Sequence, residues 1–317
     1  MDINSFMYLL YFLVGFGLLY FGANFLVRGS SAIAVSMGIK KIVVGLTIVA
    51  LGTSMPEFVV SFFAAIEKVD GVSVGNIVGS NLANILLVLG IAAVIRPIRV
   101  RRRIFRLELP VLLSITILFV LFCRDGALVG YEGGIMLAIF IAYMTFIIIN
   151  RKVREGADIE LVPMETGHLI KSSLFTISGL AGLIIGGQLT VRGAIGLAQA
   201  LGISDLIIGL TIVALGTSLP ELFTSVVAVI KKEDDISIGN IIGSNLFNTA
   251  FVLGIIPMIH TLRIDPHVIR VDNFLMLGGT ILFSVFLFIG RKLSRLEGVF
   301  LLILYALFIL NLGFNFI

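Results

Sequence analysis

The chain has 317 residues, 58% of them hydrophobic and only 13% charged, with a formal net charge of +4. So little polar surface cannot cover a soluble globule of this size, which excludes the soluble classes and makes the bilayer the main solvent. The single cysteine, Cys123, excludes an internal disulfide and a cysteine-based metal cage, and it reads as a small apolar residue of the fourth helix.

Apolar stretches follow one another near residues 7–27, 42–66, 72–95, 108–123, 128–150, 169–191, 206–230, 236–259, 271–290 and 298–316. About 20 residues of helix cross roughly 30 Å of hydrocarbon, so the expectation is an all-α integral membrane protein of ten transmembrane helices. Nothing basic precedes Arg28, so the first stretch is expected to be a retained helix and not a signal peptide. The basic run from Arg96 to Arg106 lies between two spans, where topology and anionic headgroups explain it better than nucleic acid does. The charged segment 151–167, with Pro163, reads as a linker between a first half, 1–150, and a second, 168–317. Ten crossings sort 18 of the 23 Lys and Arg onto one side and leave five, Lys68, Arg124, Arg192, Arg263 and Arg270, on the other. By the positive-inside rule the first side and the linker are cytoplasmic and both termini are extracellular.

The two halves repeat at an offset of 164 residues. Gly45 to Glu57, GLTIVALGTSMPE, recurs as Gly209 to Glu221, GLTIVALGTSLPE, and Gly75 to Asn84, GNIVGSNLAN, recurs as Gly239 to Asn248, GNIIGSNLFN. Arg28-Gly29 finds Arg192-Gly193, and Arg106 and Glu108 find Arg270 and Asp272. Five helices per half is an odd number, so the second half is expected to enter the membrane inverted, the plan of alternating-access carriers with a midplane site.

Glu57 and Glu221 are the acidic residues that fall well inside apolar segments. A carboxylate at the bilayer centre costs at least about 2.5–3.5 kcal/mol, so it is expected to face a polar cavity with a function; a protonated, purely structural glutamate is the weaker reading. Ala50, Thr53, Ser54 and Glu57 stand at helical spacing on one face, as do Ala214, Thr217, Ser218 and Glu221. Pro56 and Pro220 free the carbonyls of Gly52 and Gly216 and predict a break in each helix. Asn76, Ser80 and Asn84 share a face of the third helix, matched by Asn240, Ser244 and Asn248 in the eighth; Asn81 and Asn245 lie beside those faces. Carboxylates, hydroxyls, amide oxygens and carbonyls suit a hard cation, and Ca²⁺ takes about 6–8 of them. His168, His260 and His267 fall near helix ends and are expected to be solvated, which argues against an imidazole-bound transition metal.

At these residues the chain resembles the sodium/calcium exchanger branch of the cation/calcium antiporter superfamily, whose paired alpha repeats carry GTSxPE and GNxxGSNxxN. The resemblance implies a prokaryotic-type fold of two inverted five-helix repeats with helices two, three, seven and eight broken. It implies Glu57 and Glu221 as central metal ligands, with oxygens from Thr53, Ser54, Thr217 and Ser218 and the carbonyls of Ala50 and Ala214. Ser80, Asn84, Ser244 and Asn248 match the ligands of the adjoining helices. Some relatives have Asp at the position of Asn248, so potassium dependence is not expected. No regulatory calcium-binding domain stands in the linker.

The function expected is antiport of Ca²⁺ against Na⁺ across a plasma membrane by a multi-pass monomer in contact with lipid, with no cofactor, no nucleic acid and no enzymatic activity. By the resemblance, the first and sixth helices slide to open either side. Ca²⁺/H⁺ antiport is the nearest alternative, since burial favours protonated carboxylates. A cation channel fits inverted halves poorly. A serine hydrolase lacks a sequence-near base for Ser54 or Ser218.

Overall fold

The computed structural model describes residues 3–150, 166–201 and 214–314, and these are helical apart from turns and four two-residue strands. The helices are α1 (Ile3–Ser36), α2 (Lys41–Thr53), α3 (Met55–Ile66), α4 (Asp70–Ile95), α5 (Ile104–Asp125) and α6 (Gly130–Ile149). The second half supplies α7 (Thr166–Ala200), α8 (Ala214–Gly216), α9 (Leu219–Ile230), α10 (Asp234–Ile259), α11 (Val268–Gly290) and α12 (Arg295–Phe314). Among the described residues seven helices are long and apolar enough to cross a membrane, or eight when the bent pair α2 and α3 is taken as one span. Residues 151–165 and 202–213, and with them most of the linker and the start of the expected seventh span, lie outside the described residues.

α1 runs nine residues beyond its expected end at 27, because nothing in Arg28 to Ser36 breaks a helix. It stops where Gly38 takes φ 59°, with Gly38 N–H bonded to the Val35 carbonyl at 3.2 Å and Ile39 N–H to that of Ala34 at 2.8 Å. The same closure ends α3 and α9, but with lysine in the left-handed position, Lys68 at φ 61° and Lys232 at φ 63°. Thus even the turn geometry repeats at the offset of 164.

α4 and α10 form the centre. In their most apolar windows 78% and 83% of residues are buried, against 28–44% in the other spans. They run antiparallel, as their ends show. Asp234, at the start of α10, binds Arg96, at the end of α4, and Asp70, at the start of α4, binds His260, at the end of α10, at 3.0 Å. Asp234 also accepts from the Arg99 backbone N–H at 3.1 Å, and Asp70 from that of Arg263 at 3.0 Å. Two short antiparallel pairs tie the halves beside these contacts: β1 (Ile98–Arg99) with β4 (Lys292–Leu293), and β2 (Ala127–Leu128) with β3 (Leu262–Arg263). The first tie lies with Arg96 and Asp234 at one end of the bundle, the second with Asp70 and His260 at the other. Lys41 to Glu233 at 2.7 Å and Arg101 to Asp235 at 3.1 Å add two ion pairs to the first end only.

α1 and α7 pack against each other along their length. Gly15, Gly22 and Gly29 recur every seven residues, and their mates are Gly179, Gly186 and Gly193. A Cβ on Gly15 would stand 2.4 Å from the Thr190 backbone nitrogen, and one on Gly179 would stand 2.4 Å from that of Leu26. Only glycine permits this backbone approach, the membrane counterpart of a small-residue seam. The pair has its own small core, Leu19, Ala23, Leu26, Val27 and Leu183 packed with Val44, Val49, Val227 and Ile236. The larger core gathers around α4 and α10 and includes α5, α6, α11 and α12. Large apolar side chains cover the outside, among them Phe21, Ile141, Phe288 and Ile303, a surface that only lipid can solvate.

Candidate cation site at the helix breaks

α2 and α3 meet at Ser54 with a bend of 47°, its φ and ψ being −87° and 6°. Ser218 takes −85° and 3° at the equivalent break before α9. Pro56 and Pro220 sit in the first turn of the helices that follow, where a missing N–H is harmless, and they leave the preceding turn short of a donor. Glu57 and Glu221 therefore stand in the first turn of a new helix, at the end whose dipole favours negative charge. Both are fully buried. The Ala50 carbonyl already accepts from the Ser54 N–H at 3.0 Å and from Thr53 Oγ1 at 3.3 Å. Ala214 opens α8 directly after residues that are not described.

α4 and α10 are continuous, which corrects the expectation of broken third and eighth helices. Each instead widens into a π-helical stretch, Ala83–Val88 and Phe247–Val252, again 164 residues apart. The wide turn does not interrupt the span, and it carries Asn84 and Asn248.

Each half reaches the other's carboxylate. Ser54 Oγ donates to Glu221 Oε1 at 2.8 Å, and Ser244 Oγ approaches the same oxygen at 3.4 Å. The Ser80 and Ser218 hydroxyls face Glu57 closely, though neither makes a well-formed bond to it, and Glu221 is near enough for the two carboxylates to repel when charged. Ser80 Oγ lies 3.5 Å from the half-buried Thr217 Oγ1, while Thr53 Oγ1 donates to Asn240 Oδ1 at 3.0 Å. Asn76 Nδ2 donates to the Glu57 carbonyl at 3.2 Å and to Ser61 Oγ at 2.9 Å, and Asn240 Nδ2 donates to Ser225 Oγ at 3.0 Å.

Asn81 and Asn245 have a defined task. Asn84 Nδ2 donates to Asn245 Oδ1 at 3.0 Å, and Asn248 Nδ2 to Asn81 Oδ1 at 3.2 Å. Asn81 Nδ2 is in turn held by Thr249 Oγ1 at 2.7 Å, and Asn245 Nδ2 by the Asn81 carbonyl at 3.3 Å. These bonds fix which end of each amide is spent, so Asn84 and Asn248 keep their oxygens free. The buried oxygens left without a protein partner here are both of Glu57, Oε2 of Glu221, Oδ1 of Asn84 and Asn248, and Oγ of Ser218. All six belong to residues expected as ligands. Orphaned buried acceptors are costly, and a dehydrated hard cation is the partner that would satisfy six at once. Among the described residues no three of His, Cys, Asp and Glu gather as a metal group, so the donors are hydroxyl and amide oxygens around two carboxylates.

Ser61 and Ser225 extend the Glu57 and Glu221 stripes by one turn, a signal present in their spacing of four. Glu108 and Glu132, at helix starts, are also buried; Glu132 caps its own helix by accepting the Val129 N–H at 3.0 Å. His168 is exposed, and His260 and His267 are partly solvated as expected while also pairing with Asp70 and Asp272. Burial of those aspartates at the helix starts explains why they recruit a donor.

A family model described as sodium/calcium exchanger protein matches residues 7–149 and 171–314, one stretch in each half. The putative antiporter CaxA of Alkalimonas amylolytica is 39% identical over 308 residues, covering 93% of this chain and 95% of that protein. The sodium/calcium exchanger MaX1 of Methanosarcina acetivorans is 29% identical and covers 95% of this chain and 97% of that one. Among solved structures, the sodium-calcium exchanger NCX_Mj soaked with zero Na⁺ and Ca²⁺ superposes with a TM-score of 0.85 at 33% identity, covering 97% of this chain and 99% of that chain. The chain, a multi-pass membrane protein, belongs to the sodium/calcium exchanger family.

Proposed function

We propose that this chain exchanges Ca²⁺ for Na⁺ across a plasma membrane by alternating access at the site around Glu57 and Glu221. The observation that carries the reading is the set of six unpartnered buried oxygens contributed by both halves. Thr53, Ser54, Glu57, Ser80 and Asn84, with the Ala50 carbonyl, form one side of the ligand set; Thr217, Ser218, Glu221, Ser244 and Asn248, with the Ala214 carbonyl, form the other. Two ionised glutamates carry −2, enough to neutralise one Ca²⁺ or two Na⁺, so the ions compete for one place. Sodium as the counter-ion is supported by what MaX1 and NCX_Mj are named for.

The frame proposed is ten helices in two inverted halves, 1–150 and 168–317, joined by a cytoplasmic linker, 151–167, with both termini outside. Its support is the antiparallel course of α4 and α10 and the end ties that follow it. α1 and α7 move together past the central helices, their glycine seam keeping them one body. The empty site resists this movement, because two uncompensated carboxylates would cross a low-dielectric region, and coupling follows from that resistance.

The test loads proteoliposomes with Ca²⁺ and imposes an Na⁺ gradient and a pH gradient separately. Ca²⁺ movement driven by Na⁺ alone is expected; movement driven only by the pH gradient would replace Na⁺ with H⁺ at the same carboxylates.

A further inference from the structure

A crevice enters the bundle beside the central site. It encloses about 160 Å³ between α4, the start of α11 and the middle of α12, and Asn76, Ser80, Asp272, Tyr305 and Phe308 are among its walls. That is room for roughly five waters at about 30 Å³ each, or for a cation keeping part of its shell. Ser80 belongs to the proposed ligand set. Asn76 spends its Nδ2 on the Glu57 carbonyl and on Ser61, and its amide oxygen takes no part in those bonds.

Asp272 stands at another wall. Its Oδ2 is 3.3 Å from His267 Nδ1, its side chain is 13% exposed, and its Oδ1 is buried without a partner. A carboxylate oxygen held this way is costly near the membrane and asks for a use. The helix start does not need it, since the Ile269 N–H is bonded to the Asp265 carbonyl at 3.1 Å. The repeat sharpens the point: the mate of Asp272 is Glu108, whose side chain is sealed completely. Among the described residues, Asp272 lines this crevice while Glu108 is closed off.

We infer that Asp272 is a guiding carboxylate for the transported cation, an oxygen ligand at the outer part of a polar crevice along which Ca²⁺ or Na⁺ reaches Ser80. The inference rests on the central site proposed above. A lone negative group in a cleft with apolar walls raises the local cation concentration without holding the ion for long. Exposed Arg270 and the Asp265 carboxylate lie outside it, and His267 holds its second oxygen in place.

Asp272→Asn should raise the Ca²⁺ KM of Na⁺-driven uptake by about 3–10-fold at low ionic strength, from one side of the membrane only, with the maximal rate unchanged. The difference should shrink in high salt. An unchanged KM, or a loss confined to maximal rate and protein yield, would overturn the inference. A second variant uses the fact that the native cysteine, Cys123, is buried. Ile309→Cys, in a wall of the same crevice, should transport normally until a cationic thiol reagent blocks it, and insensitivity to the reagent would count against the crevice as a path. Glu57→Gln separates the two ideas: if it too transports normally, the central site has failed, whereas a normal Asp272→Asn beside an inactive Glu57→Gln sinks only the crevice.

Discussion

The two halves share their sequence at the site and differ in how they satisfy it. Glu221 accepts a short bond from Ser54 and keeps one oxygen free, while Glu57 keeps both oxygens free. Ser54 is spent on the opposite carboxylate in a short bond, whereas its mate Ser218 faces Glu57 without a well-formed one. The bundle ends differ likewise. Arg96 binds both Asp234 and the Val229 carbonyl, while His260, its mate, binds Asp70. A repeated sequence therefore supplies equivalent positions, and packing decides which of them are committed to the fold and which remain for a ligand.

The largest expected effect is at the carboxylates. Glu57→Gln and Glu221→Gln should each reduce Na⁺-driven Ca²⁺ uptake by about 100-fold or more, since either leaves a single negative charge for a divalent ion. Uptake that survives in one variant alone would mean that the halves bind unequally. Next come the serines. Ser54→Ala removes the hydrogen bond that Glu221 accepts and leaves a buried carboxyl oxygen without it, and should lower the thermal stability of the ion-free protein by about 1–3 kcal/mol. Ser218→Ala removes a hydroxyl that faces Glu57 without a well-formed bond, so its loss should appear more in Ca²⁺ affinity than in ion-free stability. Equal stability losses would break the comparison.

The end ties should give less. Arg96→Ala is expected to cost about 1–2 kcal/mol and His260→Ala under about 1 kcal/mol, both pairs being partly solvated; denaturation midpoints in detergent would show the order. Smallest are the left-handed lysines, where the halves agree. Lys68→Gly and Lys232→Gly should each stabilise by about 0.5–1 kcal/mol through relief at the helix C-terminus, and by similar amounts. A clear difference between them would show that one turn is held by contacts of its side chain.

Much of this was legible beforehand because a membrane makes polar residues conspicuous. Glu57, Glu221 and the asparagine rows stand out in apolar helices, and Pro56 and Pro220 mark the breaks to within two residues of Ser54 and Ser218. The π-helical turns were not legible, because the residues around Asn84 and Asn248 include no local breaker such as proline. The orienting role of Asn81 and Asn245 was not legible either: it exists only across the two halves. The glycine seam of α1 and α7 has a visible period of seven, but a lone glycine in an apolar helix says little until its partner backbone is known. The pairing of Asp70 with His260 needed the antiparallel docking of the central helices to become visible.

Whether Glu57 and Glu221 build one shared site or two separate ones is tested most directly by equilibrium Ca²⁺ binding to the purified protein without Na⁺. A shared site predicts one tightly bound Ca²⁺ per chain, lost from Glu57→Gln and lost equally from Glu221→Gln. Half of the binding persisting in each single variant would contradict it.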